Sequence, residues 1–147
     1  MASGVSGTRR TPVQEIMAEQ GGNGILSAAK VTDLENSHQK LLNNLKKNKA
    51  NIDEWDSGYE SGSREILSEL AGKDYSVSEY NLKPTGEYKQ MTVSEIESTL
   101  NNQIQKYENK THSNWNDGYF AGAVNMLEEA TGYKYSVSGY KLKRVNK

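Results

Sequence analysis

The sequence predicts an α+β, helix-rich fold built from two tandem helix–helix–strand repeats related by an approximate internal two-fold. Three observations predict it. A shift of 60 positions lays Trp55–Lys83 on Trp115–Lys143 without a gap, with 14 of 29 positions identical, which marks a duplicated supersecondary unit. Within each copy a helical apolar period gives way to strand-like alternation. Gly72 and Gly132 stand at the change, where a left-handed residue ends a helix.

Residues 1–30 lie outside the repeat and read as an N-terminal arm. Thr11-Pro12 is a good helix start, since proline suits the first turn; Val13, Ile16 and Met17 give a short apolar face, and Gly21-Gly22-Asn23-Gly24 a hinge. Repeat unit 1 is 31–90 and unit 2 is 91–147, with 30–147 expected to form one compact domain. The first helix of each unit is expected to open at a Thr-x-x-Glu capping box, Thr32–Glu35 and Thr92–Glu95. Leu34, His38, Leu41 or Leu42, and Leu45 then recur at helical spacing, as do Ile96, Leu100, Ile104 and Tyr107. The apolar register between these helices is 62, so the following loop is two residues shorter in unit 2.

The second helix is expected from about Asp53 to Ala71 and from about Asn114 to Thr131. Its apolar face carries Trp55, Tyr59, Gly62, Ile66 and Leu70 in one copy, and Trp115, Tyr119, Gly122, Met126 and Ala130 in the other. After each stop glycine, Tyr-Ser-Val from Tyr75 and from Tyr135 alternates as a strand does. A bend is expected near Ser78, Lys83-Pro84-Thr85-Gly86-Glu87 reads as a turn, and Tyr88–Met91 as a short return strand. The extended tails are expected to pair with each other or to cover the helical core.

The repeated motif W-x-x-G-Y-x-x-G is the strongest functional clue in the chain. Glycine inside a helix costs about 1 kcal/mol relative to alanine, so Gly58 with Gly62, and Gly118 with Gly122, need a compensating gain. Removing side chains from one face lets another backbone come close. The structural packing set is therefore Trp55, Gly58, Tyr59 and Gly62 with Trp115, Gly118, Tyr119 and Gly122, the rings closing inward over the contact. The charged positions of the motif differ between copies, Asp56 against Asn116 and Glu60 against Phe120, so what the copies share is shape.

Composition bounds the chemistry. The chain of 147 residues has 18 basic and 19 acidic side chains and no cysteine, and its mean hydropathy is -0.86. Near-zero net charge offers no overall field for a polyanion. Absence of cysteine excludes disulfides and thiolate chemistry. Neither His38 nor His112 has a second ligand at a recognised spacing, and no phosphate loop, dinucleotide turn or zinc-protease motif is present, so no catalytic residue, metal or cofactor is expected. The first residues hold Arg9 and Arg10 with no apolar run behind them, unlike a signal peptide.

The expected function is a non-enzymatic protein-interaction or assembly protein. Its partner is another protein, including its own copies in a homo-oligomer, with no membrane partner. Tyr80, Tyr88, Tyr133 and Tyr140 are the candidate contact residues, because such rings offer area with a polar tip; Arg9 and Arg10 join them. The small duplicated plan suits a minor bacteriophage component or a host-interacting factor, placed in the cytoplasm or in a particle assembled there. The alternative is a nucleic-acid-associated protein using Lys46-Lys47, Lys49 and the basic end Lys141, Lys143, Arg144 and Lys147. A more remote one is a carboxylate-dependent hydrolase using Asp53, Glu54, Asp56 and Glu60, which stand where a helix N-terminus favours acids.

Overall fold

The first helix, α1 (Ala28–Lys47), is capped by Ser27, whose hydroxyl accepts from the Lys30 amide at 3.1 Å. It therefore begins a turn before the expected Thr32, which is inside the helix with its hydroxyl donating to the Ala28 carbonyl. Ala28 and Ala29 are strong helix formers, and Leu26 and Val31 are buried, so the core reaches back past the supposed capping box. These features come from a computed structural model that describes residues 25–145. The boundary expected at residue 30 is too late, since Leu26 is buried and residues 28–30 belong to α1; the rest of the arm, with its hinge, Arg9 and Arg10, lies outside the described residues.

After α1 a 3-10 turn (Lys49–Asn51) leads into α2 (Glu54–Ala71). Asp53 and Asp56 cap α2 reciprocally, each side chain accepting from the other's amide at 2.9 and 3.2 Å. Gly72 ends the helix at φ 70°. In unit 2, α3 (Val93–Tyr107) opens at the Thr92/Glu95 capping box, and α4 (Asn114–Thr131) runs from the Ser113 cap to Gly132 at φ 77°.

Each unit closes with an antiparallel hairpin: β1 (Lys73–Ser78) with β2 (Asn81–Glu87), and β3 (Lys134–Ser138) with β4 (Lys141–Val145). The tails do not pair with each other; they form two separate two-stranded sheets. The reversal falls at Glu79-Tyr80 and Gly139-Tyr140, all four at positive φ, the pattern of a two-residue hairpin turn whose twist matches its strands. Lys83–Glu87 is accordingly strand and not turn. Pro84 is tolerated there because both strands of a two-stranded sheet are edges, and the ladder slips between Asp74 and Tyr75, which pair with Gly86 and Pro84. The bend expected near Ser78 is the reversal at Glu79-Tyr80, and the slip at Asp74 and Tyr75 is a separate irregularity. Residues 88–91 form a connection, not a strand, held by Tyr88 N–H on the Gly72 carbonyl and Met91 N–H on the Glu69 carbonyl.

The hairpins dock on the first helix of their own unit through matching bonds. Tyr75 donates to Glu35 at 2.5 Å, and Tyr135 donates to Glu97. The Leu82 amide donates to Gln39, and the Leu142 amide to Asn101, at 2.9 and 2.8 Å. The helical anchors are 62 apart and the strand anchors 60, but the connections 48–53 and 108–113 are equally long, so the two residues are missing from the end of α3 and not, as expected, from the loop.

The core lies between the helices, with Leu34, Ile66, Leu67, Ile96, Leu100, Met126 and Leu127 all buried. Leu67 and Leu127, 60 positions apart in the sequence, are both fully buried, each contributing about 1.5–3 kcal/mol. No helix among the described residues is long and apolar enough to cross a membrane.

Candidate interaction surface

The surface is positioned by the contact between α2 and α4. A Cβ built on Gly58 would meet the Trp115 carbonyl oxygen at 1.9 Å, and one on Gly62 the Tyr119 oxygen at 1.9 Å. Reciprocally, Cβ atoms on Gly118 and Gly122 would meet the Trp55 and Tyr59 oxygens at 2.0 Å. Four residues forward on one helix meet four residues forward on the other, so the helices run parallel. The glycine Cα–H groups point at carbonyl oxygens across the seam, a contact that recurs at close helix interfaces.

This closeness corrects the expectation that the indoles face inward. Backbones in contact leave no room between them for a bicyclic ring, and Trp55 and Trp115 are 39% and 38% exposed. Because the helices are parallel, both indoles stand at one end of the molecule. Each lies against a tyrosine of its own helix, Trp55 on Tyr59 at 5.2 Å and Trp115 on Tyr119 at 5.4 Å between ring centroids. The tyrosines reach across the seam, Tyr59 into the field of Glu128 and Glu129, Tyr119 into that of Glu65 and Glu69. Burial first, then those carboxylates, raises both phenols.

Beside Trp115 a groove of about 400 Å³ opens between the last turn of α3 and the first turns of α4. Tyr107, Trp115, Tyr119 and Phe120 line it, with Gln103, Asn116, Lys106 and Lys110. The Tyr107 hydroxyl, which donates to Asp117 at 2.8 Å and accepts from the Ser113 amide, fixes its ring.

Unit 1 carries different chemistry at the corresponding place. His38 is buried, its Nε2 bonded to Glu60 at 2.9 Å and its Nδ1 to the Ser63 hydroxyl at 3.0 Å. Glu60 also accepts two bonds from Arg64, at 2.7 and 3.0 Å. Burial raises the Glu60 carboxyl, but the bonds and charge supplied by His38 and Arg64 outweigh it and hold the group below its ordinary value. The equivalents in unit 2 are Leu100, Ala123 and Phe120. Hydroxyl, imidazole and carboxylate in series are the connectivity of an activated nucleophile, and a cleft of about 400 Å³ borders His38 and Ser63. Ser63 is nevertheless almost inaccessible in mid-helix, where neighbouring amides are committed to the helix ladder and supply no oxyanion donors. The series satisfies buried polar groups. No sequence spacing announced it, since its members come from two helices.

Of the four acids proposed for a hydrolase, Asp53 and Asp56 form the cap and Glu60 holds His38 and Arg64, so they do not converge. A different carboxyl pair does meet. Burial, then a hydrogen bond and repulsion from Glu65, push the Glu69 carboxyl up to about 8, and Tyr88 donates to Glu65 at 2.6 Å. That bond is the main reason the Tyr88 phenol is raised.

The candidate tyrosines do not form one patch. Tyr88 is exposed but tied to Glu65; half-buried Tyr133 lies under the Arg144 guanidinium, 4.2 Å from its ring centroid; half-buried Tyr140 neighbours His112; half-buried Tyr80 caps its hairpin. Of the basic end, Arg144 is committed to Glu97 by two bonds at 2.8 and 2.9 Å. Among the described residues no group of three or more His, Asp or Glu side chains is arranged to hold a metal. No protein-family model, curated protein or solved structure matches the chain.

Proposed function

We propose that this chain is a non-enzymatic protein-interaction or assembly protein whose contact surface is the indole-bearing end. In this reading the two units are related by an approximate internal two-fold running along the parallel α2–α4 seam. The glycine seam is the scaffold, and the hairpins brace it. The observation that carries the reading is the exposure of both indoles at the same end, each propped by a tyrosine. Large rings that are accessible yet already held in place give much contact area for little ordering entropy, which is why tryptophan dominates binding hot spots. The rim tyrosines, each engaged with its own chain, are secondary.

The test is the pair Trp55→Ala and Trp115→Ala, alone and combined. Neither indole supports the core, so thermal unfolding should stay near that of the parent. Self-association by sedimentation and capture of partners from the source cell should weaken, most in the double variant. Undiminished association and capture in a folded double variant would refute the reading.

A further inference from the structure

Unit 2 carries a run of rings that unit 1 lacks. Tyr140 neighbours His112 at 5.8 Å, His112 stacks on Tyr107 at 4.1 Å, Tyr107 meets Phe120 at 5.1 Å, and Phe120 meets Tyr119 at 5.7 Å. In unit 1 the places of Tyr107 and Phe120 are taken by Leu45 and Glu60. The open side of this run is the groove beside Trp115. No carboxylate lines it, and among the described residues neither Lys106 nor Lys110 makes an ion pair. An occupant that matches it offers apolar side chains to the rings and carboxylates to the two ammonium groups.

The chain contains such a stretch outside the described residues. Residues 11–20 read TPVQEIMAEQ, with Val13, Ile16 and Met17 as apolar side chains, Glu15 and Glu19 as acids, and no basic residue. Methionine adds a favourable sulfur–ring contact. We propose that this stretch of one copy docks in the Tyr107–Phe120 groove of a second copy. The inference rests on the reading of the indole end as a contact surface and names its partner.

Reach favours a second copy over the same one. His38 of α1 meets Glu60 and Ser63, while Leu45 shares a cleft with Ser57, so α1 runs antiparallel to α2 and starts at the end away from the indoles. Its 20 residues put about 30 Å between that start and the groove. From Ile25 back to Met17 is eight residues, at most roughly 28 Å fully extended. The chain's own Ile16 and Met17 thus reach the groove only with the linker stretched taut, whereas a neighbour's arrive freely. Arm into groove is a head-to-tail contact, which closes into rings or extends into filaments.

The experiment uses the full chain with a photoreactive benzoylphenylalanine at position 16, mixed as isotopically light and heavy protein. Expected are mixed-isotope adducts that map to the 103–120 segment. The exposed pair Lys106→Glu with Lys110→Glu should leave the thermal transition in place and cut adduct yield about tenfold or more. Glu15→Lys with Glu19→Lys should do the same, and combining all four changes should restore it. Adducts confined to one chain, adducts mapping elsewhere, or failure of the four-fold combination to rescue would each overturn the proposal. So would saturable, salt-sensitive binding of a single-stranded oligonucleotide abolished by the lysine changes, which would assign the groove to nucleic acid. If the adducts fail while the Trp55/Trp115 double variant still loses partner capture, the contact surface stands and only its assignment to the arm falls.

Discussion

Gly58→Ala probes the seam most sharply, because two effects of known size oppose each other there. Alanine gains about 1 kcal/mol over glycine as a helix residue. Against this, its Cβ would lie 1.9 Å from the Trp115 carbonyl oxygen, where real contacts stay beyond 3.0 Å. The oxygen belongs to the backbone of α4 and cannot swing aside, so the helices must part by about 1.1 Å, the difference between these distances. A gap of that order forfeits roughly a quarter to a half of the dispersion well for atoms across the seam. Overpacking of a rigid core costs about 1–3 kcal/mol, and two facing backbones are the rigid case, so about 3 applies. The net loss is about 2 kcal/mol after the propensity gain, a fall of roughly 4–8 °C in a chain of this size. Differential scanning calorimetry measures it, with Gly86→Ala as control: nothing lies within 4 Å of a Cβ there, so that change should be neutral or slightly stabilising. Gly118→Ala should match Gly58→Ala, and the pair together should lose less than the sum, since one separation relieves both. A melting temperature raised by Gly58→Ala would refute the seam.

The buried series of unit 1 yields a prediction from its counterpart in unit 2: His38→Leu alone leaves the Ser63 hydroxyl without its partner and Glu60 with Arg64 only, and should destabilise by about 1–3 kcal/mol. The triple change His38→Leu, Ser63→Ala, Glu60→Phe, which copies unit 2, should recover most of that loss in urea denaturation; no recovery would mean the units differ in more than these side chains. Tyr75→Phe and Tyr135→Phe each remove a bond to a carboxylate that docks a hairpin, so each should cost about 1.5–3 kcal/mol in the same assay. The Glu69 carboxyl at about 8 in the folded chain lies above its unfolded value of about 4.3. It therefore binds a proton more tightly when folded, and its contribution is complete below about pH 4 and lost as pH rises through 8. Urea midpoints should fall across that window and Glu69→Gln should flatten the fall; an unchanged slope would show that the proton is not shared with Glu65.

What could be read from the sequence was whatever each residue's own backbone demands. Gly72 and Gly132 mark positive φ, and the glycine pairs of the motif mark a close approach, because no other residue serves there. Where a residue's role depends on neighbours from another element, local pattern misleads. Thr32 has the spacing of a capping residue but lies within a core that extends back to Leu26, whereas Thr92 follows an exposed stretch, 83–90, with only Met91 partly buried, and caps as expected. Glu79-Tyr80 bears no turn signature, yet docking of the hairpin on Gln39 holds both residues at positive φ, while Lys83–Glu87 has the composition of a turn and is strand. Trp55 and Trp115 looked like core because they share a face with the glycines. The glycines bring the backbones too close for them, and the indoles are left at the surface. The groove depends on Tyr107 and Phe120 from different helices, and the one available signal was their replacement by Leu45 and Glu60 in the other unit.

Both the glycine seam and the shared indole end depend on α2 and α4 lying side by side in the same direction. The cysteine-free chain allows spin labels at Glu54→Cys with Asn114→Cys, and at Glu54→Cys with Glu129→Cys, all exposed positions, and pulsed dipolar spectroscopy gives both separations. Parallel helices predict a short first distance and a long second one, since the 15 residues between the two α4 labels separate them by about 22 Å along the helix axis. A short second distance and a long first would contradict the parallel seam, and with it the placing of both indoles together.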